Sequence, residues 1–450
     1  NEIQSARQNV FGRVNYSFNN TYLLEAQLRY DGSDVFSQSK RWGLFPSFSA
    51  GWIISEYEWF KKMLPVVSNL KFRGSWGKLG NDNIPPFQFA QFYYINPNGR
   101  LFYNTAAGSI TNYPAFSPGV VANPNATWES QTATNLAVDA GFFENKLDVT
   151  FEVFHQRRNN ILAPPNASVP AYTGISLPYE NIGIVDNKGL EAQAGYRGHA
   201  GKISYFVSAN ITYAKNKIIY QDEKLSSKPA YQALTGQPVN AGLLYHATGV
   251  FKTQDEINNY ATYSLGSTPV PGDLKFEDVN KDGVIDQKDQ IVEPLSSIPQ
   301  ILYGSTIEVS YKAFSVDLLF QGQARAVRYF RAVSGKNQNF TQEDFDGRST
   351  PGNITNKPRA AEVYGSPQGI ANTYYLSNTS FLRLKNLEFA YSIKSNELSK
   401  IGINGLRLYV NTFNVFTITK YKGLDPESVD GQGLAYPINR TFNLGASVTF

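Results

Sequence analysis

Cysteine is absent from this chain of 450 residues, which excludes disulfides, thiol catalysis and thiolate metal sites. Charged residues make up only 17% of the sequence, below the roughly 25% that is usual for soluble domains. No stretch approaches the roughly 18 uninterrupted apolar residues of a membrane-spanning helix. If the protein crosses a membrane, it therefore does so with β-strands. The net charge of +4 is small for this length and gives no case for nucleic acid as a partner.

Aromatic side chains are what the chain has in excess. Its 28 Tyr, 30 Phe and 5 Trp residues make up 14% of the sequence. This excess suits the aromatic girdles that β-barrels place at the two membrane interfaces. No Pro/Gly-rich linker or charge shift divides the chain, so residues 1–450 are predicted to form one large architecture.

The last thirteen residues, 438–450, alternate apolar and polar side chains and end on Phe450. A period of two is the side-chain period of a β-strand, so one face of this segment meets an apolar medium and the other meets water or polar groups. Arg440 and Gly445 are the breaks in the pattern. Outer-membrane barrels typically end on such a strand, but a soluble β-sandwich can end in the same way.

Alternating segments of about 9 to 13 residues recur along the chain, and a tilted strand needs this length to cross a bilayer. The cleanest is Ile203 to Tyr213. In Leu382 to Tyr391 the phase slips between Leu384 and Leu387, which predicts a β-bulge. The sequence predicts about thirteen strands, at 10–18, 22–30, 45–54, 69–77, 132–143, 146–157, 188–198, 202–214, 302–312, 313–322, 380–392, 405–416 and 438–450.

The connections between these segments alternate in length. Short ones lie at 19–20, 144–145, 198–202 and 312–313, and long ones at 78–131, 158–187, 215–301 and 323–379. Transmembrane barrels have short periplasmic turns and long extracellular loops, whereas repeated loops of this size argue against a soluble domain. The sequence therefore predicts an all-β fold, an antiparallel transmembrane β-barrel of multi-pass topology in the bacterial outer membrane and in contact with membrane lipid.

The direction of each strand follows from the last one. If Phe450 lies at the periplasmic rim, residues 393–404 form a periplasmic turn, and every short connection is likewise periplasmic. The first strand then runs inward from the outside. A single-chain bacterial barrel has an even number of strands and begins on the periplasmic side. We therefore expect this chain to be the C-terminal part of a larger protein. One miscounted strand would weaken that expectation, and the loop 215–301 is long enough to hide a hairpin.

Six motifs, in order along nearly the whole chain, resemble one family, the SusC/RagA-like TonB-dependent transporters of the Bacteroidetes outer membrane. One is Arg41-Trp-Gly-Leu-Phe-Pro-Ser-Phe-Ser-Ala-Gly-Trp, and another is Asn181-Ile-Gly-Ile-Val-Asp-Asn-Lys-Gly-Leu-Glu. The remaining motifs lie at 122–129, at 235–239 running on to 249–257, at 380–387 and at 414–427.

This resemblance implies a 22-stranded barrel with an N-terminal plug domain and a TonB box, of which the present chain holds about thirteen strands. It also implies a SusD-like surface lipoprotein as partner, a dimer of such SusCD pairs, and TonB reached through the N-terminal part. Such a pair imports oligosaccharides or peptides with energy from the proton-motive force. The alternatives are a SusC-like platform in a larger complex that transports nothing, and a passive porin.

The sharpest local motif lies in the predicted extracellular loop 215–301 and has the spacing of a calcium loop. Oxygen-bearing side chains occupy positions 1, 3, 5, 9 and 12, and Gly283 stands at position 6, where the chain turns. Calcium accepts six to eight such hard ligands. The alternative is an Asx-rich surface turn without an ion. The predicted ligands of a structural calcium ion are Asp278, Asn280, Asp282, the carbonyl of Val284, Asp286 and Asp289.

Other chemistry has little support in the sequence. His155, His199 and His246 are isolated and are interpreted as structural. No nucleophile, Walker or Rossmann motif is present, so the protein is not expected to be an enzyme. Aromatic clusters at 87–94, 329–330 and 374–375 are interpreted as loop packing or partner contact, with stacking on a sugar or peptide as the alternative.

Overall fold

The computed structural model describes residues 5–96, 115–165, 177–223, 228–331, 342–360, 366–393, 400, 402–428 and 436–450. Thirteen strands form one continuous sheet in which every strand pairs with its neighbours in the sequence. All of these pairings are antiparallel. The all-β fold and the strand number are confirmed. The strands are β1 Arg7–Phe18, β2 Tyr22–Ser33, β3 Trp42–Ile53, β4 Val67–Asn81, β5 Glu129–Phe142, β6 Leu147–Ala163, β7 Glu180–Ala200, β8 Ile203–Tyr220, β9 Ile301–Tyr311, β10 Phe314–Ala324, β11 Phe381–Ile393, β12 Gly405–Thr419 and β13 Thr441–Thr449.

One face of the sheet is apolar and exposed, as the alternation predicts. In β8, Val207 and Ile211 stand on this face, while Ser208 and Asn210 point to the other. Soluble proteins rarely expose continuous apolar surface of this extent, so this face is suited to lipid. We call it the lipid face and the opposite one the lumen face. No helix in the described part of the chain has the length and apolarity to span a membrane.

Tight turns join the strands at one rim. Asn19 and Asn20 have φ of 50° and 54° between β1 and β2, and Gly201 has φ of 62° between β7 and β8. This left-handed region favours Gly and Asn, which explains why these residues mark the turns. The longer connection from β3 to β4 contains a 3-10 turn, Ile54–Glu56, and a helix, Glu58–Met63, which the sequence did not predict. The turn expected over 393–404 falls largely outside the described residues.

The bulge predicted in the eleventh strand is present. Leu384 of β11 pairs with Phe416 and Asn386 pairs with Phe413, so the register shifts between them. The same shift appears against β10, between Leu319 and Phe320. The interruption of the alternation is therefore a local extra residue in an otherwise continuous ladder.

Strand ends differ from the prediction at the rim that carries the long loops. β6, β7 and β8 have 17, 21 and 18 residues, so their outer ends extend well into the predicted loops. The last strand is shorter than predicted and begins at Thr441, which leaves Arg440 outside the ladder. The loop 215–301 adds no strand to the main sheet within its described residues.

The long loops contain short elements of their own. The helices are Gln254–Asn258 and Gln342–Phe345, with 3-10 turns at Ala230–Gln232, Gln287–Asp289, Pro367–Gly369 and Thr373–Tyr375. Short strands pair as Tyr93–Asn96 with Ala115–Pro118, Gly242–Tyr245 with Gln290–Glu293, Ala247–Val250 with Leu274–Phe276, Thr262–Tyr263 with Val284–Ile285, Val327–Tyr329 with Leu376–Asn378, and Arg348–Ser349 with Lys357–Arg359.

Two of these loops pack into one unit, which we call the outer cap: residues 242–293 together with the described residues of 342–379. Its buried core consists of Tyr245, Val250, Leu274, Phe276 and Ile285, and Ile354, Ile370 and Tyr375 of the second loop pack against it. The main sheet faces lipid on one side and polar groups on the other. Of the two buried apolar clusters in the described chain, the cap holds one.

Candidate functional site

Paired charges line the lumen face near β4, β5 and β6. Arg73 lies 3.0 Å from Asp139 (Nε to Oδ2) and 2.8 Å from Glu152 (Nη1 to Oε2). The hydroxyl of Thr150 donates to the other carboxylate oxygen of Asp139 at 3.1 Å. Because these side chains come from three neighbouring strands, the network joins strands on the polar side, where the bilayer cannot reach.

A second charged group stands on the lumen face of β10, β11 and β12. Arg407 bonds to Glu388, and its Nη2 is 4.0 Å from Oδ2 of Asp317. Asn411 donates to the second oxygen of Glu388 at 3.3 Å and accepts from Asn443 of β13 at 2.8 Å. The lumen wall therefore presents hydrogen-bonding groups of both signs, which suits polar solutes or a polar domain inside the barrel.

The most buried basic side chain of the described residues is Arg383 of β11, at 1% exposure. Its guanidinium binds Asp425 and Glu427, and its Nε donates to the hydroxyl of Thr417 at 2.8 Å. Asp425 and Glu427 belong to the segment that follows β12. Two of the sequence motifs, 380–387 and 414–427, therefore meet in one buried ion cluster that fixes this segment against the wall.

A second buried ion pair holds the outer cap together. Asp273 is fully buried, and its Oδ1 lies 2.6 Å from Nε of Arg359 on the other loop. Gln368 donates to the same oxygen at 2.7 Å, and the backbone N–H of Val270 donates to Oδ2 at 2.9 Å. Leaving the buried carboxylate of Asp273 unpaired would cost folding free energy. The pairing therefore couples the positions of the two loops.

All six predicted calcium ligands lie in one loop at the edge of the cap. Gly283 has φ of 82° and Lys281 has φ of 60°, which gives the tight turn that the spacing predicts. The carboxylates of this loop bond to backbone N–H groups: Asp278 accepts from Gly283 at 2.9 Å and Asp282 from Val284 at 2.9 Å.

Asp289 closes the loop. It is fully buried, and its two oxygens each accept a backbone N–H at 2.8 Å, from Val279 and from Asp286. Lys288 lies 3.7 Å from Asp286 and 3.9 Å from Asp282. No three acidic, His or Cys side chains among the described residues are grouped as a metal centre. One buried oxygen, Oδ1 of Asp278, has no partner in this arrangement.

Residues that the sequence did not single out hold this loop from the side. Gln232 is buried, and its amide donates to the carbonyl oxygens of Gln287, Lys288 and Gln290 at 2.7 to 3.0 Å. The hydroxyl of Tyr231 donates to the Lys288 carbonyl at 2.6 Å. Neither residue lies near the motif in the sequence, so spacing gives no signal for them.

Two tyrosines of the cap are perturbed by burial. Burial raises the pKa of Tyr245 to about 12, with a smaller contribution from the negative charges of Asp286 and Asp289. Burial also raises the pKa of Tyr263, whose hydroxyl accepts from the Phe276 N–H at 2.7 Å. Both phenols are therefore neutral parts of the cap core and not acid–base groups at neutral pH.

The aromatic clusters of the loops divide into two kinds. Tyr375 contacts Tyr329 and Tyr374 with ring centroids 5.7 and 5.1 Å apart, and Phe330 contacts Tyr421 at 5.4 Å, as the packing interpretation expects. In contrast, Phe92, Tyr93 and Tyr94 are exposed. These three rings are free to contact a solute or a partner.

The sheet, its two distinct faces and its long-looped rim define a class of outer-membrane β-barrel protein. Residues 1–415 match the family model described as "TonB dependent receptor-like, beta-barrel". The chain therefore belongs to the TonB-dependent receptor β-barrel family, a family of the outer membrane.

Individual relatives agree with this assignment. The chain is 30% identical to the TonB-dependent receptor SusC of Bacteroides thetaiotaomicron, over 98% of its own length and 43% of the relative. It is 29% identical to the TonB-dependent receptor P26 of Formosa agariphila, over 98% of its length and 46% of the relative. The chain thus spans about half the length of the curated relatives it matches. The solved RagAB peptide transporter has the same fold, with a TM-score of 0.77 at 22% identity, over 99% of this chain and 48% of that one.

Proposed function

We propose that this chain forms barrel wall and outer loops of a TonB-dependent importer, the SusC-like half of a SusCD-type complex. The complete protein would carry an oligosaccharide or a peptide across the outer membrane and would do so without enzymatic chemistry. The observation that carries the proposal is the combination of a polar lumen face, with charge pairs at Arg73 and Arg407, and a packed outer cap. Membership in the TonB-dependent receptor family supports active transport over passive diffusion.

The partner assignments rest on the same relatives. A SusD-like lipoprotein would sit at the loop-bearing rim, where the cap and the exposed rings of Phe92, Tyr93 and Tyr94 face outward. TonB would engage a part of the protein other than the strands described here. Two such pairs would associate as a dimer.

Uptake by living cells tests import. A strain lacking the gene is complemented with the full-length gene or with the same gene lacking its TonB box, and uptake of labelled oligosaccharides and peptides is measured. We expect the intact gene alone to restore uptake of one solute class, and a protonophore to abolish it. Normal uptake without the TonB box would refute active import. If the strain lacking the gene loses complex assembly but keeps normal uptake, the platform function is favoured instead.

We also propose that the loop Asp278–Asp289 binds a structural calcium ion. The donors would be Asp278, Asn280, Asp282, the Val284 carbonyl, Asp286 and Asp289, all oxygen ligands that suit calcium. The unpartnered buried oxygen of Asp278 supports this assignment. A bound cation would replace Lys288, which now balances the carboxylates of Asp282 and Asp286. The ion would fix one edge of the cap.

Metal analysis of the purified full-length protein tests the calcium site. We expect one calcium ion, lost after chelation, in the wild type and in the control Asp255→Ala, which removes an acidic residue of the cap outside the loop. The double variant Asp282→Ala, Asp286→Ala should contain none. Full occupancy in the double variant would contradict the assignment.

A further inference from the structure

Five basic side chains stand on the lipid face of the sheet, between its apolar residues and the long loops. Each has the same parity in its strand as an exposed apolar residue: Arg157 follows Phe151 and Val153 in β6, and Lys78 follows Phe72 and Trp76 in β4. They therefore point away from the lumen and from any solute inside it. We call them the basic belt: Lys78, Arg157, Lys188, Lys215 and Lys217.

Strand register brings the belt together in two adjacent rows. In the upper row, Lys78 pairs with Thr132, Thr132 with Arg157, Arg157 with Asp186 and Asp186 with Lys217. In the lower row, the order is Trp76, Thr134, His155, Lys188 and Lys215. Neighbouring strands lie about 4.8 Å apart and successive residues on one face about 7 Å, so the belt covers about 19 by 7 Å.

The belt lies at one edge of the membrane. The eight residue steps from Leu147 to His155 in β6 span about 27 Å along the strand, or about 20 Å of height at the usual tilt. The apolar band of a barrel is about 25 Å tall, so both rows stand near its margin. This margin is on the side of the long loops, which barrels place outside the cell. Tyr213 of β8, directly below Lys215, marks the aromatic girdle there.

The charge of the belt is largely uncompensated. Asp186 is the one acidic residue in the two rows, with Oδ1 3.7 Å from Nε of Arg157 and Oδ2 3.3 Å from Nε2 of His155. Lys78, Lys188, Lys215 and Lys217 are exposed, and no carboxylate of the described residues lies within ion-pair distance of them. Like charges held this close repel one another unless an anion lies between them.

We propose that the basic belt binds the phosphorylated headgroup of a lipid in the outer leaflet. The phosphates would lie among the four lysines, and the acyl chains would descend over the apolar residues directly below, such as Val153 and Leu190. The continuity of the cationic surface with the apolar band favours a lipid over a soluble anion, because only a lipid meets both at once. The site is on the opposite face of the wall from the lumen and is separate from import.

Lipid binding by the full-length protein tests the belt. The protein is stripped of lipid in detergent, mixed with bisphosphorylated lipid A, and the bound lipid is counted by native mass spectrometry. The variant Lys188→Gln, Lys215→Gln should weaken binding about 25-fold, since each cation near an anionic surface contributes about fivefold. The variant Lys188→Arg, Lys215→Arg keeps the charge and should bind within about threefold of wild type.

Two controls make the result specific. Lys146→Gln with Lys202→Gln removes the same charge at the opposite rim and should leave binding unchanged. Lipid A treated with phosphatase should bind no better to the wild type than to the glutamine variant. Equal lipid binding by all variants would overturn the proposal. So would equal binding of phosphatase-treated and untreated lipid A by the wild type. Complete displacement by inorganic phosphate at the concentration of the lipid would replace it with a phosphate-ion site, and loss of a co-purifying protein with unchanged lipid would replace it with a protein interface.

Discussion

Replacing Arg383 with Met is the sharpest test of how the outer segment after β12 is held. Met preserves much of the side-chain volume and removes the charge, so Asp425 and Glu427 lose the cation that they share. Asp425 is buried, at 5% exposure, and Arg383 is the one cation within ion-pair distance of it among the residues that the structure describes. The variant also removes the donor to the Thr417 hydroxyl.

The expected loss of stability follows from the burial of the ion pair. Breaking a buried ion pair by removing one partner typically costs about 3–5 kcal/mol, because the remaining charge is left uncompensated. An exposed pair is worth about 0–1 kcal/mol. Arg7→Met is a matched control, since Arg7 pairs with Asp82 at 2.6 Å while its side chain is 62% exposed.

Hydrogen exchange measured by mass spectrometry on the full-length protein in detergent reports the local effect. In Arg383→Met, residues 420–428 should open with a free energy lowered by about 3–5 kcal/mol. Arg7→Met should leave exchange of this segment unchanged. Adding Asp425→Asn and Glu427→Gln should recover much of the loss, because the uncompensated charges are removed. Equal exchange in both arginine variants, or no recovery in the triple variant, would refute the argument.

Two further predictions concern the outer cap. Phe276→Ala should lower the stability of the cap by about 3–5 kcal/mol, because a fully buried ring is lost, and protection of residues 242–293 from hydrogen exchange should fall while the main sheet is unaffected. The raised pKa of Tyr245 means that the folded cap favours the neutral phenol, so its contribution to stability is complete below pH 10 and is lost as the pH rises towards about 12. Near-ultraviolet circular dichroism should show the cap opening in this range, and Tyr245→Phe should shift the opening to higher pH; an identical transition in this variant would contradict the role of Tyr245.

The sequence predicted the membrane part of the fold well because the bilayer imposes a strict alternation. Every residue on one face of a spanning strand must be compatible with lipid, and the period of two is therefore clear in segments such as Ile203–Tyr213. Outside the bilayer this requirement ends. The ladder of β8 continues to Tyr220, but Lys215 and Lys217 replace apolar residues on the lipid face, so the predicted strand ended at 214.

The cap was not predicted as a folded unit for a different reason. Its strands have two to four residues, too few to show a period, and its core joins residues distant in the sequence, such as Leu274 and Ile370. The prediction of a calcium loop rests on spacing alone. Spacing does not determine which way a carboxylate turns, and the bonds of Asp278 and Asp282 to backbone N–H groups follow from the local turn.

The unequal strand lengths give the entrance of this barrel an oblique profile. β7 has 21 residues and β9 has 11, a difference of about 25 Å in height at the usual tilt. The cap is joined to the lower side, where Thr379 just before β11 donates to the carbonyl of Ala326 just after β10 at 3.0 Å. The ion pair of Asp273 with Arg359 joins the two loops of the cap, so both loops are held together above this lower side. A solute approaching from the loop side would thus meet a high β-wall on one side and the packed cap on the other.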